Sequence, residues 1–516
     1  MPRRPRDVLG VLRRSERSIF WTSFVISLAV SMCWVLATPI FAAPDEPKHA
    51  IRAASVARLQ ILGEERPDIE DELVVDAPRG YEETAKRIAC YVFFERIPAS
   101  CVRISNDTEI VPLPTAAGRH PPAYYFVTGI PSLVLQSSKS IYLMRIVGAL
   151  ITAAFVAASI SSLRRLRDAR AASAGLAVAL TPLVWFVSGT INPSVPEIAA
   201  GVALWACGGV LALHARERID PVLVRRVAIA AIVLCLSRQL GPLWVAVILA
   251  VLAVAAGRDG LKRLIATRAA RWWAVPVAVA AASTAAWNVV VRPVDPRTSE
   301  LMRVTTLEAA QASFEDSFNR YKEFVGWFGW LDTPPTPAMI TLFSVALVGL
   351  AVATLAIGRR RLSLLSVVVA LGTLATPIVF EALEAHELGY FWQSRYTLPL
   401  AVGVPILLGL SLAERSRPEP TARGVGAMAI TIAVLVGIVD VLGFAQALRR
   451  NTVGYSGALD FFLDPIWHPP LPALFLLASA IVATVALMYW LVGRGPASTS
   501  PARAPHGVDE PATVLS

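Results

Sequence analysis

The sequence predicts an all-α integral membrane protein, a polytopic bundle of about 12 transmembrane helices. Of its 516 residues, 55% are hydrophobic and only 17% are charged, and its mean hydropathy is +0.57. The apolar residues form stretches of about 17 to 23, which is the length that crosses the hydrocarbon core as a helix. A membrane barrel would show short alternating strands instead, so a helical bundle is expected.

Positive charge marks the predicted cytoplasmic ends of the spans. The net charge is +10 and the pI is about 9.7, but the basic residues flank apolar stretches, so no nucleic-acid partner is expected. The basic clusters lie within residues 3–17, 164–170, 216–226, 258–271, 359–361 and 415–423. Short loops rich in Arg stay in the cytoplasm. The chain must therefore cross the membrane an even number of times between clusters.

This parity places both termini in the cytoplasm. Because the bias towards Ala, Val and Arg suggests a GC-rich bacterium, we expect a multi-pass protein of the bacterial cytoplasmic (inner) membrane, in contact with membrane lipids. Residues 1–18 are the basic N-terminus, residues 19–493 the transmembrane domain, and residues 494–516 a tail whose composition favours disorder. The predicted spans lie near residues 19–41, 141–163, 172–189, 195–214, 226–237, 241–257, 273–291, 338–357, 363–380, 396–413, 425–446 and 470–492.

Two larger outer loops, about residues 42–140 and 292–337, are expected to contain helices rather than strands. In the first loop, a helix is predicted over 44–63. Residues 121–137 are apolar enough for a span, but parity favours a helix in the outer interface, with Tyr124 and Tyr125 at headgroup depth. In the second loop, residues 313–328 are predicted to form an amphipathic helix.

The five cysteines divide by location. Cys33, Cys207 and Cys235 lie inside predicted spans and are expected to pack as small apolar residues. Cys90 and Cys101 share the first outer loop, where an oxidising compartment permits a disulfide. This pair is a disulfide candidate.

Asp45 and Glu46 are the sharpest candidates for chemistry. They begin a predicted helix at the outer end of the first span, where two carboxylates supply a general base and a second oxygen for hydrogen bonds or metal. On that helix, Asp45, His49 and Arg52 share one face. The alternative is that Asp45 only caps the helix and that Glu46 interacts favourably with the helix dipole.

Arg238 and Arg395 are candidates for binding phosphate. Arg238 lies in a break between two apolar spans, and Arg395 with Tyr396 begins another span. A guanidinium near membrane depth is costly unless paired, and its geometry suits phosphate. The alternative is that each arginine anchors its span by reaching the interface.

Other candidates carry weaker signals. His120 follows Arg119 before two prolines, a pattern that often has only a structural role. Trp330 and Asp332 are suited to stacking on and hydrogen bonding to a sugar ring, although an aromatic belt explains the tryptophan equally well. Asp440 lies within an apolar span, where pairing with another helix is the simplest explanation.

Four motifs in one order carry a resemblance to a known family. They are Pro44-Asp45-Glu46-Pro47 with His49, His120-Pro121-Pro122-Ala123-Tyr124-Tyr125, Gly329-Trp330-Leu331-Asp332-Thr333-Pro334, and Gln393-Ser394-Arg395-Tyr396. Together they resemble the predicted membrane proteins catalogued as domain of unknown function 2142, over about residues 20–490. The chain has Ser394, Arg238 and Ser194 where that family often has Gly, Lys and Asp.

That family is grouped with membrane glycosyltransferases of the GT-C type, so the resemblance implies a GT-C-like fold. It also implies transfer of a sugar, with inversion, from a polyprenyl-phosphate-linked donor to a cell-envelope glycan, lipid or protein. In this interpretation Asp45 is the base, and Glu46 orients it or helps to hold a divalent cation (Mg or Mn). Arg238 and Arg395 neutralise the leaving phosphate.

The remaining candidate residues are expected to support substrate binding: His49, Tyr396, Trp330, Asp332, His120 and Tyr124. The alternatives are a transporter or flippase of a lipid-linked glycan, which breaks no bond, and a structural membrane scaffold. The carboxylate pair at a fixed outer site favours the enzyme, as does the absence of an obvious inverted repeat of broken spans.

Overall fold

The structure is a computed structural model that describes residues 5–66, 69, 72–291, 304–413 and 418–493. The predicted tail 494–516 and the first part of the second loop, residues 292–303, lie outside these described residues. The first helix, α1 (Pro5–Ala37), runs from the basic N-terminus through the first predicted span. Its apolar part from Glu16 to Ala37 is long enough to cross a membrane.

The described residues between 38 and 139 form a folded segment at one end of the bundle, and this end of the bundle is called the loop face here. The segment contains α2 (Glu46–Ala57), β1 (Leu73–Pro78), α3 (Arg79–Arg87), β2 (Ile110–Thr115), α4 (Pro122–Gly129) and α5 (Pro131–Val134). The helix predicted over 44–63 corresponds to α2, which is shorter than the prediction at both ends. Helices α4 and α5 are each far too short to cross a membrane, which agrees with the parity argument against a span at 121–137.

The antiparallel pair β1 and β2 corrects the expectation that this segment is entirely helical. Leu73 pairs with Thr115 and Pro78 with Ile110 at the two ends of the ladder, and both strands pack against α2. Apolar β-branched residues of β1 favour a half-buried strand. Proline is tolerated in β2 because a two-stranded sheet has only edge strands, where a missing N–H faces away from the ladder.

The next part of the chain builds the centre of the bundle. It contains α6 (Ser140–Leu163), α7 (Ala169–Ala179), α8 (Pro182–Ser188), α9 (Ser194–His214), α10 (Pro221–Ser237), α11 (Gly241–Ala266) and α12 (Arg268–Val291). Helix α9 is completely buried and contacts α6, α10 and α11. The span predicted at 172–189 is bent by 67° between α7 and α8, where Pro182 follows the break.

The last part of the chain completes the bundle. It contains α13 (Thr306–Glu315), α14 (Ser317–Gly326), α15 (Pro337–Ile357), α16 (Arg360–Leu388), α17 (Ser394–Ala401), α18 (Gly403–Ala413), α19 (Glu419–Val453) and α20 (Ala473–Val492). The single helix predicted over 313–328 is thus two helices that meet at Asp316. Helices α17 and α18 together form one span.

Ten helices of the described residues are long and apolar enough to cross a membrane, or eleven if the bent pair α7 and α8 is one span. The prediction was about 12 spans. When the bent pair is counted as one span, the predicted span that is missing from the eleven is the segment near 226–237. That segment is α10, whose 17 residues rise by about 26 Å, slightly less than the hydrocarbon core. The outward side chains of α12, α15 and α16 are largely Val and Leu, which suits contact with lipid.

Candidate functional site

Asp45 lies in the turn between α1 and α2. Its backbone is left-handed, with φ 61°, a conformation that Asp tolerates better than most residues. Within the described residues, the Asp45 side chain makes no capping hydrogen bond to α2. Its carboxylate instead accepts a hydrogen bond from the Arg395 guanidinium. The side chain is still 45% exposed, so Asp45 is open to a ligand from the loop face.

Glu46 is buried and holds that turn in place. Its two carboxylate oxygens accept from Arg145 Nε at 2.7 Å and Arg145 Nη2 at 2.6 Å. The main-chain N–H groups of Phe41 and Ile191 also donate to them, each at 3.0 Å. Arg145 itself donates to the carbonyl oxygen of Thr38 at 2.6 Å. Glu46 therefore joins α1, α2, α6 and the chain before α9, and it positions Asp45 rather than facing a ligand.

These contacts test the divalent cation that the resemblance implies. The Asp45 carboxylate is paired with Arg395, and all favourable directions around the Glu46 carboxylate are taken by N–H donors. In the part of the chain that the structure describes, no group of three or more His, Cys, Asp or Glu side chains is arranged to hold a metal ion. The residues present at Asp45 and Glu46 do not fit Mg²⁺ or Mn²⁺.

Two arginines flank the ring of Tyr396 beside Asp45. The Arg238 guanidinium carbon lies 4.2 Å from the ring centroid and that of Arg395 lies 5.3 Å away. Arg395 Nη2 also donates to the Tyr396 hydroxyl at 3.4 Å. Within the described residues, Arg395 Nε has no hydrogen-bond partner. The two guanidinium groups thus create a positive centre with an unused donor, as an anion site requires.

Acidic side chains of α14 and α16 fix the start of α17, which carries Arg395. The Ser394 N–H donates to Glu323 Oε2 at 2.9 Å, and the Ser394 hydroxyl donates to the carbonyl oxygen of Arg320 at 2.8 Å. Glu381 accepts from the Trp392 N–H at 3.2 Å and pairs with Arg320 at 2.6 Å. These buried contacts orient the main chain on which Arg395 stands.

Arg238 emerges from the break between α10 and α11 and reaches α9. Its Nη1 lies 3.3 Å from Ser194 Oγ and 3.9 Å from Glu197 Oε2. Glu197 is buried and is the nearest acid to Arg238. Neither Glu197 nor Arg145 was among the predicted site residues, although each is an ionisable residue inside an apolar span. That signal alone marks a residue as a candidate for pairing.

Two histidines line the same region and carry no charge at neutral pH. His49 Nδ1 lies 2.9 Å from the Tyr125 hydroxyl, His120 Nδ1 hydrogen bonds to the Gln239 amide, and the rings lie 5.7 Å apart. Burial, reinforced by neighbouring cationic groups, holds the pKa of His49 well below its ordinary value. Burial and Arg238 lower the pKa of His120 to about 3, against the opposing hydrogen bond with Gln239. The positive centre is therefore not increased by protonated histidine.

Three predicted contact residues have other partners. Tyr124 is buried inside the protein, and its hydroxyl accepts from the Asn192 N–H at 3.0 Å. Tyr125 is buried as well. Trp330 Nε1 donates to the Phe41 carbonyl oxygen at 2.9 Å. Asp332 is buried and pairs with Arg450 at 2.9 Å, which corrects the expectation that it contacts a sugar.

The cysteines lie as predicted, whereas Asp440 does not have the predicted partner. Cys90 and Cys101 form a disulfide, as their shared loop suggested, and the three other cysteines are free and buried. Asp440 is buried in α19, and within the described residues its carboxylate has no hydrogen-bond partner. The expected pairing of Asp440 with another helix is therefore wrong for the described part of the chain.

The fold and the site together define a polytopic helical membrane protein with a polar site at one end of the bundle. This chain belongs to the family described as predicted membrane protein (DUF2142), which matches it over residues 28–404. A comparison with curated proteins gives no match.

Among solved structures, the chain is similar to that of ArnT from Cupriavidus metallidurans in the apo state. The identity is 14%, 91% of this chain and 75% of that chain are covered, and the TM-score is 0.42. The structure of the same protein bound to undecaprenyl phosphate gives the same identity and coverage, with a TM-score of 0.38.

Proposed function

We propose that this protein is a GT-C-type membrane glycosyltransferase. It transfers a sugar, with inversion, from a polyprenyl-phosphate-linked donor to a cell-envelope acceptor at the outer face of the bacterial cytoplasmic membrane. The family resemblance supports the reaction class. The observation that carries the proposal is the pairing of the exposed Asp45 carboxylate with Arg395, beside Arg238.

The residues divide the reaction between a base and an anion site. The acceptor hydroxyl oxygen attacks the anomeric carbon, and its proton passes to the Asp45 carboxylate. The bond between that carbon and the phosphate oxygen breaks, and the polyprenyl phosphate leaves with the bonding electrons. Arg238 and Arg395 balance the charge that develops on the phosphate. Both guanidinium groups contact the ring of Tyr396, while His49 and His120 lie near them as neutral groups.

Arg395 links the two halves of this mechanism. In the free protein it pairs with the Asp45 carboxylate. A donor phosphate competes for the same guanidinium, so its binding weakens that pair. The Asp45 carboxylate is then free to accept a hydrogen bond from the acceptor hydroxyl.

The test is to incubate the purified protein in lipid with a panel of polyprenyl-phosphate sugars and envelope extracts. Mass spectrometry follows sugar transfer and free polyprenyl phosphate. Products that appear with the wild type and vanish with Asp45→Asn support the proposal. Tight donor binding without cleavage under any acceptor condition contradicts it and favours a transporter of lipid-linked glycans.

A further inference from the structure

Two aromatic rings are displayed together at the loop face. Phe93 lies at the tip of the loop closed by the Cys90–Cys101 disulfide, and Trp330 lies in the turn after α14. Their ring centroids are 6.3 Å apart and the planes are inclined by 70°. Phe93 is 68% exposed, so its ring is accessible to a ligand.

One buried arginine holds both chain segments that carry these rings. Arg450, at the end of α19, is 1% exposed and donates to the carbonyl oxygens of Ile97 at 2.7 Å and Tyr91 at 2.9 Å. It also pairs with the carboxylate of Asp332 at 2.9 Å. The disulfide loop and the Trp330 turn are therefore fixed relative to each other by the same guanidinium, which preorganises the ring pair.

The backbone is left-handed at Phe93 and at the residue after Trp330. Phe93 has φ 63° and Leu331, which follows Trp330, has φ 60°. Left-handed residues other than Gly are costly and persist where surrounding contacts enforce them, often at binding sites. Arg450 and the disulfide provide such contacts here.

The ring pair is also connected to the turn that carries Asp45. Trp330 Nε1 donates to the Phe41 carbonyl oxygen, and the Phe41 N–H donates to Glu46. The indole is thus fixed to the main chain four residues before Asp45. A ligand on these rings is therefore held by the same turn that carries the proposed base.

We infer that Phe93 and Trp330 form a platform for sugar rings of the acceptor, so that the acceptor is a glycan or carries one. This inference rests on the proposed function. The C–H face of a sugar packs against aromatic faces, while its hydroxyl groups remain in water or reach the exposed Glu95 and Arg96 beside Phe93. A lipid chain would instead require a surface shielded from water and free of such charges.

The first experiment measures glycan binding without requiring transfer. The full-length protein in nanodiscs is applied to an immobilised array of lipid-free oligosaccharides from bacterial envelope polysaccharides. We expect the wild type to bind a subset of the array, Phe93→Ala to weaken that binding about fivefold, and Phe93→Tyr to retain it. Leu459→Ala, a change at another exposed apolar residue of the loop face, should leave binding unchanged. Equal binding by wild type and Phe93→Ala, or no binding to any fragment, would overturn the inference.

A second experiment separates glycan binding from contact with lipid. Phe93 is replaced by photoreactive p-benzoylphenylalanine, and the protein in nanodiscs is irradiated with the bound oligosaccharide. Cross-linking to the oligosaccharide supports the platform, whereas cross-linking to phospholipid shows an interfacial anchor and overturns it. Asp45→Asn should still bind the oligosaccharide. If wild type binds glycan but transfers no sugar from any donor, the proposed function fails and the platform stands.

Discussion

At the residue scale, the site depends on which carboxylates are accessible to a ligand and which are buried in hydrogen bonds with the protein. Asp45 and Glu46 are adjacent in sequence, yet Asp45 is 45% exposed and Glu46 has a completely buried side chain. Glu46 is surrounded by N–H donors and shielded from solvent, so an acceptor hydroxyl cannot reach it. Of the two carboxylates, Asp45 is the accessible one, and we therefore propose it as the base.

Asp45→Asn tests this assignment. The amide keeps the size of the side chain but cannot take the acceptor proton, so transfer should fall by a factor of about 10² to 10⁴. The measurement is sugar transfer from the donor identified in the panel, with thermal unfolding in detergent as a check on folding. Asp76→Asn, at an exposed carboxylate of β1, is the matched control and should leave transfer unchanged. Full activity of Asp45→Asn would exclude it as the base.

The two buried histidines predict a pH dependence of stability. The pKa of His120 is lowered to about 3 and that of His49 is also lowered, whereas unfolded histidine titrates near 6.5. Below pH of about 6.5 the unfolded chain therefore binds protons that the folded protein does not, and stability falls as pH falls. The limiting slope is about 1.4 kcal/mol per pH unit for each histidine.

The measurement is the apparent Tm between pH 7.5 and 5. We expect Tm to decrease with decreasing pH in the wild type, and less steeply in His120→Gln. His468→Gln, at an exposed histidine, is the control and should keep the wild-type slope. A wild-type slope in His120→Gln would show that His120 does not contribute.

At the element scale, the junction of α1 and α2 is held by one buried ion pair. Arg145 of α6 and Glu46 of α2 both have side chains with 0% exposure, and Arg145 also binds the end of α1. A buried ion pair adds little net stability compared with apolar residues, but removal of one partner leaves an unpaired charge. The pair therefore fixes the geometry of the turn that carries Asp45.

Glu46→Gln should destabilise the protein by about 3 to 5 kcal/mol, because the Arg145 charge stays buried without its partner. The double variant Glu46→Gln/Arg145→Met should recover part of that loss. Equilibrium unfolding by denaturant in mixed micelles measures both. Glu72→Gln, which breaks the half-exposed pair with Lys48, is the control and should cost less than about 1 kcal/mol. If Glu46→Gln costs no more than Glu72→Gln, the junction is not held by this pair.

At the scale of the whole molecule, charge and hydropathy predict an orientation. The described basic residues within 164–170, 216–226 and 258–271 lie together at helix ends remote from the loop face, where the positive-inside rule places the cytoplasm. The free cysteines are all buried, so a membrane-impermeant maleimide should report only introduced cysteines. Glu217→Cys, between α9 and α10, should react only after cells are permeabilised.

Leu62→Cys, in an exposed part of the loop face, should react in intact cells. The measurement is gel-shift labelling of both variants before and after permeabilisation. The wild type is the control for background labelling. The reverse pattern, with Glu217→Cys labelled in intact cells, would invert the orientation and place the candidate site in the cytoplasm.

Much of the architecture follows from the sequence alone. Most spans are set by the number of consecutive apolar residues, because the bilayer thickness demands that length. The Cys90–Cys101 disulfide, the start of α2 next to Asp45 and the break at Arg238 are likewise local features. Local patterns failed for β1 and β2, because a strand pair depends on a partner far along the chain.

The partners of the charged residues were decided only by the tertiary structure. Glu46 and Arg145 are 99 positions apart, and Asp332 and Arg450 are 118 apart. Hydropathy shows that Arg145 is costly within an apolar span, but it does not show which opposite charge relieves that cost. Helix packing determines which charged residues become partners. It leaves Asp45 exposed beside Arg395 and Arg238, and it buries Glu46 and Asp332.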